Sequence, residues 1–490
     1  CRTGSRTVVT PPAHRRIAME QTPVRIAGEL VTTASSVEVT NPFDGAIIGR
    51  VPLCGVNEVD RAASHARQVL RRNDFPQHER AAVLERAAAL VRERHEAFAT
   101  TIVREAGKSI RTARVEAERA VDTFTFAAVE ARRLSGEVIA AEASTSGTGK
   151  LAFALRVPVG VVAAITPFNF PLNLVAHKLA PAIAAGCPVV LKPAPQTPLT
   201  ALALVEVLIE AGLPGDWISV VTDTGRQAGA PLVEHDVPAV VSFTGSAPVG
   251  WSIAAAAPKK KVLLELGSNS PVIVEPDADL ERVADKVVAG GFGYSGQSCI
   301  SVQRVFVHED VHDDLVGLLA ARAEGLVAGD PLSEDTDVGP LIRPDELDRV
   351  RSWIDEAVSD GAAVVAGGKV EDGILRPTVV TGAAADSNLC AREVFGPVIT
   401  VTSHANFGDA IAMANDTPFG IHAGVFTNDL DRALRAVREL DFGGVLVNEV
   451  PTFRADQQPY GGVRDAGNTR EGPAYAVEEL THLRFVSLQP

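Results

Sequence analysis

Residues 157–192 read VPVGVVAAITPFNFPLNLVAHKLAPAIAAGCPVVLK. A short β-branched run, Val159 to Ile165, gives way to a helical segment, Leu172 to Ala185, and then to a second apolar run, Pro188 to Leu191. Two apolar strands separated by one helix make a βαβ unit, because parallel neighbours need a crossover and their strands are covered on both faces. The pattern continues outward, with strand candidates at Ile218 to Val221, Ala239 to Phe243 and Val262 to Leu266 and a helix at Leu199 to Ala211. The spacing predicts a twisted parallel sheet in an α/β fold, with ligands held at the carboxyl ends of the strands.

Upstream, residues 57–133 place apolar residues at helical intervals and predict a helical layer. A Gly/Ser/Thr-rich stretch, Ala143 to Gly149, lies between two apolar runs and predicts a hairpin-like excursion. Past residue 270 the alternation resumes at Val272 to Val274, Val305 to Val307, Val398 to Val401 and Val445 to Val447, which predicts a second α/β domain. A chain of 490 residues has room for two or three such units.

The net charge of −15 disfavours nucleic acid and anionic membrane as partners, and no apolar run approaches the ~20 residues of a membrane-spanning helix. The five cysteines, Cys1, Cys54, Cys187, Cys299 and Cys390, are scattered without a C-x-x-C pair. That spacing suggests no metal centre and a reducing, cytoplasmic setting. Residues 1–18 carry Arg2, Arg6, Arg15 and Arg16 with no acid and precede Met19; they read as a non-native or disordered extension, with a basic targeting peptide as the alternative.

Several residues stand out chemically, each with a plainer explanation beside it. Cys299, in a small-residue turn, is a nucleophile or an inert buried thiol. Glu265 interrupts the apolar run Val262 to Leu266, where a carboxylate is costly unless paired or used. Asn169 can donate its amide to an oxyanion or cap a helix. Lys192 places an ammonium at the end of a strand, as a ligand contact or a solvated lysine. Phe243-Thr244-Gly245-Ser246 ends a strand and opens a helix, so free N–H groups there can meet an anion. Gly291 to Gly296 satisfies G-x-G-x-x-G, yet it follows a helix rather than a strand and is rejected as a dinucleotide fingerprint.

Taken together, these segments resemble the aldehyde dehydrogenase superfamily. So do Glu393-Val394-Phe395-Gly396-Pro397 and Pro459-Tyr460-Gly461-Gly462-Val463, and the blocks run in order along nearly the whole chain. The resemblance implies a Rossmann-type cofactor domain (residues 19–131 and 151–264), a catalytic domain (265–464) and a small β oligomerisation domain (132–150 and 465–490). It implies Cys299 as nucleophile, Asn169 in the oxyanion site and Glu265 as general base. NAD or NADP is implied at Ile165, Thr166, Phe168, Lys192, Pro195, Gly225 and Arg226. The same cofactor extends to Phe243, Gly245, Ser246, Val249, Leu266 and Gly267, with Glu393 and Phe395 at the nicotinamide ribose. A homodimer or homotetramer is implied as well.

Pro195 stands where many members carry a ribose-binding glutamate, which leaves NAD against NADP open; Arg226 is either a contact for a 2′-phosphate or an exposed arginine. Residues Cys299 to Arg304 look most like lactaldehyde-, glyceraldehyde- and semialdehyde-oxidising members. Arg119, Phe170, Ser298 and Arg454 fall where the family lines its substrate tunnel, although arginines pair with acids more often, and Glu116 and Asp456 are near candidates. Ser298 stands where phosphonoaldehyde-oxidising members can carry arginine. The expected reaction is oxidation of a small polar or short-chain aldehyde to its acid through a thioester hydrolysed by water. A CoA-acylating enzyme is the alternative, disfavoured by the presence of Glu265, and a non-catalytic nucleotide-binding relative is a further one.

Overall fold

A computed structural model describes residues 20–489, so the expected extension at residues 1–18 lies outside the described residues. The predicted βαβ stretch forms as expected. Strands β1 (Val161–Ile165), β2 (Val189–Lys192), β3 (Ile218–Val220), β4 (Pro238–Thr244) and β5 (Lys261–Glu265) build a five-stranded sheet in the order β5-β4-β1-β2-β3. Every neighbouring pair is parallel. The helix between β1 and β2, Asn173–Ala185, is buried along its whole length and stops at Gly186, whose φ of 86° suits glycine. It packs against helices Gln77–Glu93 and Ile110–Arg133 of the predicted helical layer. Leu84, Val91, Phe124, Leu179 and Ile183 close that interface, and each fully buried large side chain contributes roughly 1.5–3 kcal/mol.

Strand order reverses between β1 and β4, so a crevice opens there at the carboxyl edge. Register brings the chemistry to that edge: Ile165 pairs with Phe243 and Lys192, and Thr244 pairs with Glu265.

The second sheet has seven strands: β6 (Pro271–Val274), β7 (Arg304–His308), β8 (Ala363–Ala366), β9 (Thr378–Thr381), β10 (Val398–His404), β11 (His422–Phe426) and β12 (Gly444–Val447). Their order is β8-β9-β10-β7-β6-β11-β12, parallel except for the edge strand β8. The expected hairpin excursion lies in a three-stranded antiparallel sheet of Glu137–Ile139, Leu151–Pro158 and Thr481–Leu488. Its middle strand comes from the segment expected to belong with the cofactor domain. Among the described residues no helix is long and apolar enough to cross a membrane.

Candidate active site

The rejected glycine motif turns out to shape the loop that presents Cys299. Helix Leu280–Phe292 runs into it, and Tyr294, Ser295 and Gly296 follow with φ of 50°, 54° and 71°. Two consecutive non-glycine residues in the left-handed region cost about 1–2 kcal/mol each. The conformation is held by the Tyr294 hydroxyl, which donates to the Ala106 carbonyl at 2.9 Å, and by Ser295 Oγ, which donates to the Gly339 carbonyl at 2.7 Å. Cys299 emerges from this turn half-buried at the amino end of β7, with its Sγ 2.7 Å from the Tyr460 hydroxyl. Burial pushes the thiol up to about 12, with Tyr460 and Arg454 opposing and Glu393 and Glu265 adding to the rise.

Asn169 follows β1 and reaches the same loop. Its buried amide nitrogen donates to the Gln297 carbonyl at 3.1 Å, and its Oδ1 has no partner among the described residues. The amide and the thiol loop are thus brought together, with the donor resting on the backbone two residues before Cys299. Ser298 is half-buried in that loop and its carbonyl accepts from Ser301. Phe170 lies beside the same loop, edge-to-face with Tyr294 at 6.4 Å, while the buried Lys108 ammonium sits 3.8 Å from its ring centre.

Glu265 ends β5, and its carboxylate is buried with neither oxygen hydrogen-bonded among the described residues. Burial, then the neighbouring Glu471 charge, pushes its carboxyl well above the usual range, against Arg454 and Lys178. It borders a small cavity shared with His177, Lys178 and Glu471. Lys178 lies 3.6 Å from Glu471, and Arg454 donates to Glu471 at 2.9 Å. Glu471 itself is held down to about 2: burial acts against this, but Lys178 and Arg454 outweigh it. A carboxyl raised at Glu265 beside one lowered at Glu471 is a pair pushed apart by its surroundings, which suits the first to trade protons.

The two substrate-side arginines both meet acids. Arg119 forms a bidentate pair with Asp456 at 2.9 and 3.1 Å, while Arg454 takes Glu471. Glu116, weighed as an arginine partner, instead pairs with buried Lys108 and accepts the N–H groups of Leu172 and Asn173, fixing the start of the helix behind Asn169. Asp456 also receives Asn173 Nδ2 and lies 2.9 Å from His177 Nε2. Sequence reasoning passed over Lys178, His177, Glu471 and Tyr460 as site residues. A signal for two of them was present: Asn173, His177 and Lys178 are polar residues in an otherwise apolar, fully buried helix.

The opposite flank fits a dinucleotide. Thr166 and Thr244, at the carboxyl ends of β1 and β4 on either side of the switch point, carry buried hydroxyls without partners among the described residues. Gly245 and Ser246 lead into helix Ala247–Ala256, and Ser246, at its N-cap, makes no side-chain cap bond. Val249 is exposed in the first turn. A side chain at Gly245 would strike the Phe243 ring, and one at Gly267 would strike the Glu393 carboxylate. Leu266 and Ile165 are buried beneath. Lys192 does reach the edge, where its ammonium pairs with Asp223 at 2.9 Å. Asp223 in turn accepts the N–H groups of Gly225, Ala228 and Gly229, which sets the turn carrying exposed Gly225 and Arg226; Pro195 is half-buried nearby in sequence to Lys192. Across the cleft, Glu393 accepts the Ser268 N–H at 3.0 Å, and burial pushes its carboxyl up to about 7. Phe395, at φ 48°, meets Phe168 edge to face.

A Rossmann-ordered sheet whose crevice opens on a half-buried thiol defines a dinucleotide-dependent oxidoreductase. The model of the aldehyde dehydrogenase family matches residues 31–486, and the chain belongs to that family. It is 44% identical over 463 residues to a 3-sulfolactaldehyde dehydrogenase of Priestia aryabhattai, covering 94% of this chain and 97% of the relative. Among solved structures it resembles an aldehyde dehydrogenase from Physcomitrella patens in complex with the reaction product succinate. That match has 36% identity and a TM-score of 0.93, covering 96% of this chain and 99% of that one. It also resembles glyceraldehyde-3-phosphate dehydrogenase from Methanocaldococcus jannaschii complexed with NADP, at 36% identity and TM-score 0.89, with 94% and 100% covered. The protein is therefore an NAD(P)-dependent oxidoreductase of the aldehyde dehydrogenase family.

Proposed function

We propose that Cys299 is the nucleophile and Glu265 the general base in the oxidation of a short-chain, anionic aldehyde to its acid. One observation carries the assignment of roles: a buried carboxylate with no hydrogen bond to either oxygen among the described residues lies near enough to the thiol for its charge to disfavour the thiolate. Costly to bury and without a structural partner, such a group has its use in proton transfer.

Cys299 adds through sulfur to the aldehyde carbon, and the new oxyanion is received by the Asn169 amide once that donor turns from the Gln297 carbonyl. Bound NAD or NADP supplies the hydride acceptor. The residues suited to hold it are Thr166, Thr244, Gly245, Ser246 and Lys192 on one flank and Glu393 with Phe395 on the other. Glu265 then takes a proton from water as the water attacks the thioester, and the acid leaves with Cys299 restored. Lys178 and Glu471 lie behind Glu265, where they can pass its proton on.

The anionic character of the substrate rests on Arg119 and Arg454. Each directs a side chain toward the site by way of an acid partner, and Nη1 of each has no hydrogen-bond partner among the described residues. A sulfonate, phosphate or carboxylate remote from the aldehyde is the chemistry a free guanidinium edge accepts. The names of the relatives above point the same way. Formation of reduced cofactor across small aldehydes, with NAD and NADP in parallel, is the test. Anionic aldehydes should be preferred over neutral ones of equal length; equal kcat/KM for both sets the arginines aside, and dependence on CoA would replace water as the acyl acceptor.

The exposed faces of the three-stranded sheet, with Val138, Phe485 and Leu488 open to solvent, support a homodimer or homotetramer joined through that sheet. Free thiols at Cys54, Cys187, Cys299 and Cys390 support a reducing, cytoplasmic setting.

A further inference from the structure

Among the described residues Tyr460 is one of the largest fully buried side chains, yet its hydroxyl has one partner there, the sulfur of Cys299 at 2.7 Å. Its ring is not free either. The Arg454 guanidinium lies over one face, 3.7 Å from the ring centre, and is fixed there by Glu471 at 2.9 Å and His177 Nε2 at 3.1 Å. His422 meets the ring edge to face at 5.2 Å. A tyrosine that served as packing alone would cost free energy by burying a hydroxyl; here the hydroxyl is aimed at the reacting atom.

We propose that Tyr460 is a catalytic residue whose hydroxyl donates to Cys299 Sγ and stabilises the thiolate that begins the reaction, with the Arg454 cation on its ring strengthening the donor. The inference rests on Cys299 being the nucleophile. Tyr460 gives up no proton: the thiol loses its own to solvent, and the phenol O–H stays intact while holding the negative sulfur. A cation over the ring face draws electron density from the phenol, and a hydrogen bond to an ionised acceptor is about twice as strong as one between neutral groups.

The charged and titratable groups facing the sulfur fall into two sets. Glu265 and Glu393 oppose the thiolate, and Tyr460 with Arg454 favours it. His422 does not enter the balance near neutrality, because burial holds its imidazole down to about 4 and its Nδ1 lies 2.8 Å from the Pro451 carbonyl. Burial alone would leave the thiol almost wholly protonated at neutral pH, so removal of one of its two favourable neighbours should be felt directly.

The direction of the hydrogen bond decides the matter. If the phenol donates to sulfur, losing it makes the thiolate harder to form; if the thiol donates to the phenol oxygen, losing it makes the thiolate easier to form or changes nothing. The experiment is the pH dependence of Cys299 alkylation by iodoacetamide in the full-length enzyme, read by mass spectrometry of the Cys299 peptide. Tyr460→Phe should move the half-alkylation point up by about one pH unit or more, and so slow alkylation at neutral pH by about tenfold. Arg454→Met should move it in the same direction by less, and iodoacetamide, being neutral, needs no arginine for binding. An unchanged or lowered half-alkylation point in Tyr460→Phe overturns the proposal. Should that variant fail to fold, as judged by its melting curve, 3-fluorotyrosine at position 460 decides in its place: as a stronger donor it should lower the half-alkylation point, and an unchanged or raised point overturns the proposal. Turnover surviving in Cys299→Ala would instead strike the nucleophile assignment, so the two failures are distinguishable.

Discussion

Phe168, from the loop after β1, and Phe395, from the loop before β10, meet edge to face across the cleft, with ring centres 5.8 Å apart and planes at 84°. The pair ties the sheet proposed to carry the dinucleotide to the sheet that carries the thiol, at a place where Phe395 holds a backbone φ of 48°. An aromatic pair of this geometry is worth about 0.5–1.5 kcal/mol beyond its burial. Phe395→Ala should therefore weaken cofactor use, with KM for the dinucleotide raised roughly 3- to 10-fold and a smaller effect on KM for the aldehyde. Steady-state kinetics with each substrate varied in turn would check this, and an unchanged cofactor KM would remove Phe395 from the clamp.

Glu265 supplies the sharpest mechanistic prediction. With glutamine in its place the pocket keeps its shape, since neither carboxylate oxygen has a hydrogen bond to lose. Hydride transfer should survive and thioester hydrolysis should stall. A rapid-quench or stopped-flow trace of Glu265→Gln should show up to one equivalent of reduced cofactor per Cys299, followed by a steady rate lower by on the order of 10². A full steady rate would free Glu265 from the role of base.

Much of this arrangement was legible in the sequence, and the part that was not has a physical reason. The runs from Val161 to Ile165 and from Val189 to Leu191 declare themselves because parallel strands buried on both faces must be apolar throughout. Glu265 declares itself by breaking such a run. Strands β8, β9 and β11 escaped notice: β8 is an edge strand with two exposed residues, β9 is only two valines between threonines, and β11 opens on histidine and carries a glycine at its centre. Partners escaped more thoroughly than elements. Asp456 was a candidate acid, but it meets Arg119 from 337 residues away, and Tyr460 reaches Cys299 across 161, so no local pattern could say which group meets which. Lys192 shows the same limit: its place at the end of β2 was readable, whereas its ion pair with Asp223 depends on the loop after β3.

Two glycines should respond differently to alanine. At Gly267 the added carbon would lie 2.2 Å from Glu393 Oε2, the far end of a side chain that can move. At Gly296, φ is 71° and the same carbon would lie 2.0 Å from the Gly396 carbonyl oxygen, which is backbone. Gly267→Ala should keep its melting temperature and lose cofactor affinity as Glu393 is displaced. Gly296→Ala should lose stability as well as activity, by about 1–2 kcal/mol from the left-handed backbone before the backbone contact is added. Melting curves beside dinucleotide titrations separate the two, and equal melting temperatures for both variants would contradict this account.

The carboxyl of Glu393 makes a prediction about pH. Burial lifts it from 4.5 to about 7, with the Ser268 N–H and Arg349 opposing. In the unfolded chain the group ionises near its ordinary value, so below about 4.5 both states hold the proton and the residue carries no ionisation penalty. As pH rises from there to about 7, the unfolded chain releases the proton while the folded protein keeps it, and stability falls; above that range both are ionised and the penalty is complete. Glutamine preserves an oxygen for the Ser268 N–H and has no charge to bury. Glu393→Gln, measured without cofactor, should therefore match the parent enzyme's melting temperature at the acid end, exceed it increasingly as pH rises through this window, and hold a constant advantage beyond it. A difference that does not vary with pH would mean that Glu393 ionises as an ordinary exposed glutamate, and that its contact with Ser268 is not made in a desolvated site.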